Sequence, residues 1–456
     1  MKTMTHRIAT KLVMGLALSL IIGSAGCVNQ PREVALYRTV LDRGMPATRP
    51  VAPSQKLSLA EALTQANMYY EELSKSGETY VQSLIQRDRA GWSFFPTANA
   101  SGLYSWQNQP VRGSSQYSSS VSAGSSVNLF RGFQDVASLN AAGLTAQQQE
   151  QVLLDLRESI FLNIGTIYYQ VLSSERSREV LLRTIGSQEE QLRDSIARRN
   201  QGIGTELTVA QNRAQVASTR ASLRQVEQQI REGRSMLAYL IGQKDLTSPV
   251  EDELATPPAV GATDQLYAKA MEHRQDFRAS ALGVQSARQD VRSAVGQYYP
   301  SVSINVEKLL ASNPDNLGSD LTSVLSLNLP IFSAGQIEAS VRTAWSRYRQ
   351  RALEEARIKR LVWKDIDVAV GKLESNERRL LDLQASVDAS HEALRLAEAS
   401  QRLGNASNLD RLTAEVNVLQ AELEFTREQI DQKINLLSLW RSQGILAEAV
   451  KAGQVH

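Results

Sequence analysis

Cysteine is almost absent from this chain. Its 456 residues hold one, Cys27, which excludes a disulfide framework and any multi-cysteine metal site. Histidine is nearly as scarce, and His6, His273, His391 and His456 are too scattered to read as a metal cluster. An excess of one charge is also missing. Lys and Arg number 50 against 48 Asp and Glu, which leaves no basic surplus to hold a nucleic-acid backbone. No HExxH, no GxSxG and no phosphate loop ending in Gly-Lys-Ser/Thr occurs, so no catalytic signature is present. Gly202-x-Gly204 is a lone glycine pair, a turn rather than a phosphate cradle. Proline, at 12 residues, and aromatics, at 6%, are few. Gln, Ala, Leu, Arg, Ser and Glu are plentiful, a bias that suits long helices. No enzyme activity, cofactor or metal is expected, and the composition points to architecture.

Long apolar runs are lacking as well. Leu12 to Gly23 is apolar but falls short of the roughly 20 residues a membrane-spanning helix needs. With Lys2, Arg7 and Lys11 around its start it reads as a secretory signal. Ser24, Ala25 and Gly26 then lead into Cys27. This resembles a bacterial lipoprotein cleavage box, with Ser24 where Leu is commoner. It implies that residues 1–26 are removed and that Cys27 becomes a lipidated, palmitate-bearing N-terminus. Val28, which is not acidic, implies sorting to the outer membrane.

Residues 27–56 hold four prolines and no clear period and are read as a lipid-anchored tether. From Ser58, a capping residue, a helical pattern runs to Phe94-Phe95-Pro96. The same device, Tyr298-Tyr299-Pro300, ends the helical stretch 263–299, with its proline 204 residues after the first. Asn128-Leu129-Phe130-Arg131-Gly132-Phe133 is similar to the stretch from Asn328 to Gly335, and Gly202 to Thr208 is similar to Gly404 to Asp410. The chain is thus read as an internal duplication, with repeat 1 over 57–243, a Pro-rich linker over 244–262, repeat 2 over 263–442 and a C-terminal tail over 443–456. Very long helices are expected over about 131–200 and 335–403. Seven-residue apolar seams predict helix-on-helix packing along such helices: Val209 to Leu237, Ile366 to Leu394 and Leu409 to Leu437.

Between the helices the period changes to two. Ala98, Ala100, Gly102, Tyr104 and Trp106 alternate with Thr97, Asn99, Ser101, Leu103 and Ser105. Residues 117–129 alternate likewise, as do 301–307 and 321–329, where Val324 breaks the pattern. Alternation predicts strands, in hairpins over about 97–130 and 301–329, each strand near the length that crosses a bilayer when tilted. Four strands cannot close around a lumen, and open edges are not tolerated in lipid, so spanning strands demand several copies.

The paired aromatics before each proline, the strand exits and the two glycine breaks, in this order and spacing, resemble TolC-like outer-membrane efflux channels of the lipoprotein subgroup. The resemblance implies a mainly helical fold with membrane strands: a homotrimer whose long helices form an α-barrel continuous with a twelve-strand β-barrel. It implies passive export from an inner-membrane transporter through a periplasmic adaptor protein, with outer-membrane lipid as a further partner. It places the periplasmic tip, where the adaptor docks, at Gly202, Gly204, Thr205, Gly404 and Ser407. The family's two pore-ring acids fall at Asp410 and at Thr413, the latter a departure, with Arg411 beside Asp410 as a neutralising neighbour. Leu207 and Leu409 are candidate apolar contacts for closing the tip. The bland reading of Asp410 is a first-turn helix acid. The competing function is a structural, periplasm-spanning coiled-coil lipoprotein without a pore, which would not need alternating hairpins.

Overall fold

The computed structural model describes residues 30–43, 45, 56–108, 116–252, 261–313 and 321–453. Cys27 lies outside them. The fold is mainly helical, with one small sheet. Helix α1 (Gln30–Leu41) is followed by α2 (Leu59–Tyr69), α3 (Glu71–Trp92), strands β1 (Thr97–Trp106) and β2 (Tyr117–Arg131), then α4 (Gln134–Asn200) and α5 (Glu206–Leu240). The second half repeats this order with α6 (Thr263–His273), α7 (Gln275–Gly296), β3 (Ser301–Asn313), β4 (Leu321–Asn328), α8 (Gln336–Arg402) and α9 (Asn408–Gln443). A short α10 (Leu446–Gly453) closes the chain.

Helices α4 and α8 each have 67 residues, about 100 Å at 1.5 Å per residue. Each packs lengthwise on the helix that follows it, and α4 also lies along α7, which joins the halves. Of the predicted seams, Val209, Val216, Leu237, Ile366, Leu373, Ile430 and Leu437 are buried, whereas Leu409 and Val416 at the start of α9 are exposed in the single chain. Among the described residues no helix is long and apolar enough to cross a membrane.

Two helical stretches are broken where the sequence predicts continuity. The pattern from Ser58, which does cap α2 through a reciprocal box with Glu61, is interrupted at Tyr70, and the stretch 263–299 is interrupted at Arg274. Neither site holds Pro or Gly. The cause is tertiary. Gly242, just past α5, packs against Tyr69, and a Cβ on it would sit 2.5 Å from the Tyr69 Cβ. Gly444, just past α9, packs in the same way on the Arg274 backbone.

The expected tether carries a docked helix instead. Helix α1 buries Tyr37, Val40 and Leu41, and the Tyr37 ring lies over Gly77, where a Cβ would come within 2.5 Å of it. Arg38 donates to the Asn67 and Met68 carbonyls at 2.8 and 3.0 Å, filling the unpaired acceptors at the end of α2. Arg157 of α4 does the same for α1, donating to the Leu41 and Arg43 carbonyls at 2.8 and 2.7 Å. Its neighbour Glu158 accepts from the Ala447 N–H at the start of α10, at 3.3 Å. These short helices wrap the middle of α4 in an apolar belt around Phe161, Ile164, Tyr168 and Tyr169. The Tyr168 hydroxyl donates to the Leu57 carbonyl at 2.7 Å and accepts from the Glu251 N–H at 2.9 Å, tying the linker into the belt.

The sheet has strand order β1-β2-β3-β4, all antiparallel. Its register joins the alternations into two continuous faces. One row runs Thr97, Ser126, Asn305, Val324 and another Asn99, Gly124, Glu307, Thr322. The opposite face carries Val127, Ile304 and Leu325 in one row and Phe130, Val302 and Leu327 in another. Val324 therefore intrudes on the polar face. The register also adjusts the sequence pairing of the halves. Ser126 faces Thr97 as Asn328 faces Ser301, so Asn128 corresponds to Pro330 rather than Asn328, and Phe130 to Phe332. The backbone agrees, because Gly132 and Phe133 are left-handed in one half and Ala334 and Gly335 in the other.

Candidate functional site

The two glycine breaks come together at one end of the long helices, with the sheet at the other. Each break is built by the same local rules. Helix α4 ends as the Gly202 N–H donates to the Arg199 carbonyl and the Ile203 N–H to the Arg198 carbonyl, both at 3.0 Å. Helix α8 ends as Gly404 donates to Gln401 at 3.0 Å and Asn405 to Ser400 at 2.9 Å. This double closure needs a left-handed residue, and Gly202 and Gly404 hold φ +78 and +81. Thr205 then caps α5, accepting from the Thr208 N–H at 3.1 Å. Ser407 caps α9, accepting from the Asp410 N–H at 3.2 Å. An Arg199–Glu206 ion pair at 2.9 Å straps the first turn.

Asp410 is exposed and engaged locally. Its carboxylate accepts from the Ser407 N–H at 2.8 Å and from the Ser407 hydroxyl at 2.7 Å. These two donors hold its carboxyl below the ordinary range. Thr413 is also exposed, donating to the Leu409 carbonyl at 2.9 Å. Leu207 and Leu409 are 68% and 59% exposed in the single chain.

Arg411 does not neutralise Asp410. It is 4% exposed and turned inward between the helices. Its guanidinium donates to Glu415 at 3.0 Å, to Asn212 of α5 at 3.1 Å and to Gln191 of α4. Burial pushes the Glu415 carboxyl above its ordinary value, opposed by the Arg411 charge. Asn408 adds a bond to Gln211 at 2.9 Å. One buried guanidinium thus fastens α9 to both α4 and α5. Sequence reading missed this cluster. Its one local signal is the Arg-x-x-x-Glu spacing over 411–415, which puts both side chains on one helical face. A cleft of about 540 Å³ opens beside it, lined by residues that include Asp194, Arg198, Thr205, Glu398 and Arg402.

At the sheet end, aromatic side chains mark both limits of the strands. Trp106 lies opposite Tyr117 at the loop end, next to Tyr104. Where the strands meet the helices, Trp92, Phe94, Phe95, Phe133, Tyr298, Tyr299 and Phe332 are exposed. Among the described residues no group of three or more His, Cys, Asp or Glu is placed to hold a metal.

The family model described as outer membrane efflux protein matches residues 82–243 and 266–444, most of the chain. A probable efflux pump outer membrane protein of Pseudomonas putida, TtgC, is 24% identical over 77% of this chain and 75% of its own length. The outer membrane efflux protein BepC of Brucella suis is 21% identical over 69% of this chain and 70% of its own. Among solved structures, the outer-membrane channel OprN superposes with TM-score 0.74 at 21% identity, covering 87% of this chain and 94% of that one. VceC, an outer membrane protein of Vibrio cholerae, gives TM-score 0.74 at 18% identity over 85% and 96%. The fold of this chain is the fold of these proteins.

Proposed function

The chain belongs to the outer membrane efflux protein family, and on that premise we propose that it is the outer-membrane duct of a tripartite export system, assembled as a trimer. Three copies supply twelve strands, which close into a barrel with the Ser- and Asn-rich face toward the lumen and the Leu- and Val-rich face toward lipid. The long helices continue the duct across the periplasm to the tip. There the turns at Gly202–Thr205 and Gly404–Ser407 meet a periplasmic adaptor, which links the duct to an inner-membrane pump. Cys27 carries the lipid that adds a second anchor to the barrel.

The observation that carries this reading is the two-faced sheet with both edges open. Open edges are intolerable in lipid, and a wet lumen needs one polar face. Aromatic residues at both strand ends suit the two interfaces of a bilayer. A pore-free spacer needs neither the faces nor the belts, so the competing structural reading is not favoured. Cysteines placed at Gln107 and at Asn405 test the topology. A membrane-impermeant maleimide added to intact cells is expected to label the first and spare the second. Labelling of Gln107→Cys only after the outer membrane is breached would sink the duct.

At the tip, three Asp410 carboxylates ring the axis and favour cations. Leu207 and Leu409, exposed in one copy, pack between copies and hold the tip shut. Adaptor binding favours an open tip by matching only that form. In planar bilayers Asp410→Ala is expected to lower cation preference, while Leu409→Ala raises resting conductance. Unchanged selectivity in Asp410→Ala would leave that residue as a helix cap alone.

A further inference from the structure

The face of the sheet that the barrel reading turns toward lipid carries a single charge, and the inference here rests on that reading. Alternate residues of a strand share a face, so Lys308 belongs with Val302, Ile304 and Val306 of β3. Its row runs from Ala100 of β1 through Ala123 of β2 to Leu321 of β4. Elsewhere this face is apolar, aromatic or hydroxylic: Ala98, Gly102, Tyr104 and Trp106 on β1, Tyr117, Ser119, Val121, Ser125 and Val127 on β2, and Ser323, Leu325 and Leu327 on β4. Among the described residues of the sheet, Lys308 is the one charged side chain on it. Glu307 and Arg131 lie on the polar face.

Lys308 is exposed, and among the described residues no hydrogen bond or ion pair holds its ammonium. The edge strands β1 and β4, which meet the next copy, contain no acid. A lysine facing lipid is costly at mid-membrane and tolerated near an interface, so its depth matters. Two measures of depth agree. Lys308 is eight residues past Pro300. At about 3.3 Å per residue and a tilt of about 40°, that is about 20 Å up an apolar band about 25 Å tall. The second measure is the internal duplication. Thr97 faces Ser126 as Ser301 faces Asn328, which makes Lys308 the counterpart of Tyr104, itself eight residues past Pro96. Tyr104 is 70% exposed, beside Trp106, as aromatics at a membrane interface are. At the same height, one half of the chain sets an aromatic ring and the other a cation.

We propose that Lys308 is a lipid-binding site on the outer wall of the barrel, one per copy, and that its ligand is the phosphorylated glycolipid of the outer leaflet. A lysine lays its stem along apolar surface and lifts its charge to the headgroups, where the compact ammonium binds phosphate as a point charge. The small side chains of Ala100 and Ala123 in its row leave the stem room to lean along the wall. The ligand is a lipid rather than a soluble anion because the cation stands on the apolar face, among Val306 and Leu321. It belongs to the outer leaflet because Lys308 lies about 5 Å from the outer boundary of the band and about 20 Å from the inner one.

Native mass spectrometry of the full-length protein in detergent tests the site, with lipid A, phosphatidylglycerol and inorganic phosphate as separate probes. Lipid A is expected to stay bound, at up to one molecule per copy. Lys308→Met is expected to lower its retention about fivefold, the weight of one lysine near an anionic surface. Lys308→Arg should keep most of the binding, and Glu307→Gln, on the other face, should leave it unchanged. Equal retention in the wild type and Lys308→Met overturns the site. A change in Glu307→Gln as large as that in Lys308→Met overturns it too, since net charge would then be the cause. Phosphatidylglycerol held as firmly as lipid A overturns the choice of glycolipid, and lipid A displaced by millimolar inorganic phosphate overturns the choice of a lipid. The barrel reading is tested apart, in lipid vesicles. There a water-soluble maleimide is expected to label Glu307→Cys and spare Lys308→Cys, with the wild type giving the background from Cys27. The reverse pattern removes the barrel reading and this proposal together. The expected pattern with equal lipid retention removes this proposal alone.

Discussion

The middle of α4 and its tip end use different means of attachment. In the middle, Phe161, Ile164, Tyr168 and Tyr169 are sealed among α1, α2, α5 and α10, each large side chain contributing about 1.5–3 kcal/mol by burial. Toward the tip, buried Val209, Val216 and Val418 are joined by polar residues that bond between helices, Asn212 on α5 and Arg411 on α9, with Glu415 beside them. Hydrogen bonds of this kind are worth about 0.5–1.5 kcal/mol net, and their partners are exchangeable. The waist is thus held mainly by apolar burial in its centre, whereas the tip adds a buried polar cluster to its apolar seam.

The largest expected effect breaks the belt. Phe161→Ala should cost about 3–5 kcal/mol, read as lost hydrogen-exchange protection across α1, α2 and the middle of α4. A loss confined to Phe161's own turn would show that the belt is not one unit. Next is the tip cluster. Arg411→Met strands Glu415 without its cation and should cost about 3 kcal/mol, with faster exchange over 188–215 and 405–420 and an unchanged belt. If the belt loosens equally, the contrast between waist and tip disappears.

A smaller effect separates two acids five residues apart. Burial raises the folded-state value of Glu415, so its contribution is greatest at low pH and is lost as pH rises through that raised value. Asp410 is depressed by its Ser407 donors, so its contribution is present above the unfolded value and lost as pH falls through the folded one. Tip exchange rates followed against pH should therefore lose one component in Glu415→Gln and the opposite one in Asp410→Asn. Identical pH profiles for the two variants would contradict these assignments. The smallest change is Gly202→Ala, whose Cβ meets nothing within 4 Å and adds only left-handed strain of about 1–2 kcal/mol. Gly132→Ala, which collides with the Gly296 carbonyl, should exceed it. Equal melting-point losses would mean that the tip turn is packed by another molecule.

Features written into local sequence were legible. Gly202 and Gly404 end the long helices within a residue of the expected positions, because a left-handed closure requires glycine there. The strands follow from alternation, which the register then assembles into two faces. Features made by distant residues were not legible. The breaks at Tyr70 and Arg274 come from Gly242 and Gly444, which arrive from the ends of other helices. Helix α1, with Pro31 in its first turn and three prolines after it, is too short to declare itself, and Tyr37 finds its partner at Gly77. Arg411 sits next to Asp410 in sequence, but a helix turns about 100° per residue, so one side chain faces outward while the other is buried between α4 and α5.

Arg157 and Glu158 are neighbours on α4, yet one grips the end of the first described helix and the other the start of the last. Glu158 and Ala447 are 289 residues apart. The waist of the molecule is therefore unfinished until Ala447 has been made. An emerging chain can form α4, α5 and the first hairpin, but it cannot close this clasp. A copy truncated before Leu446 lacks the clasp between Glu158 and Ala447.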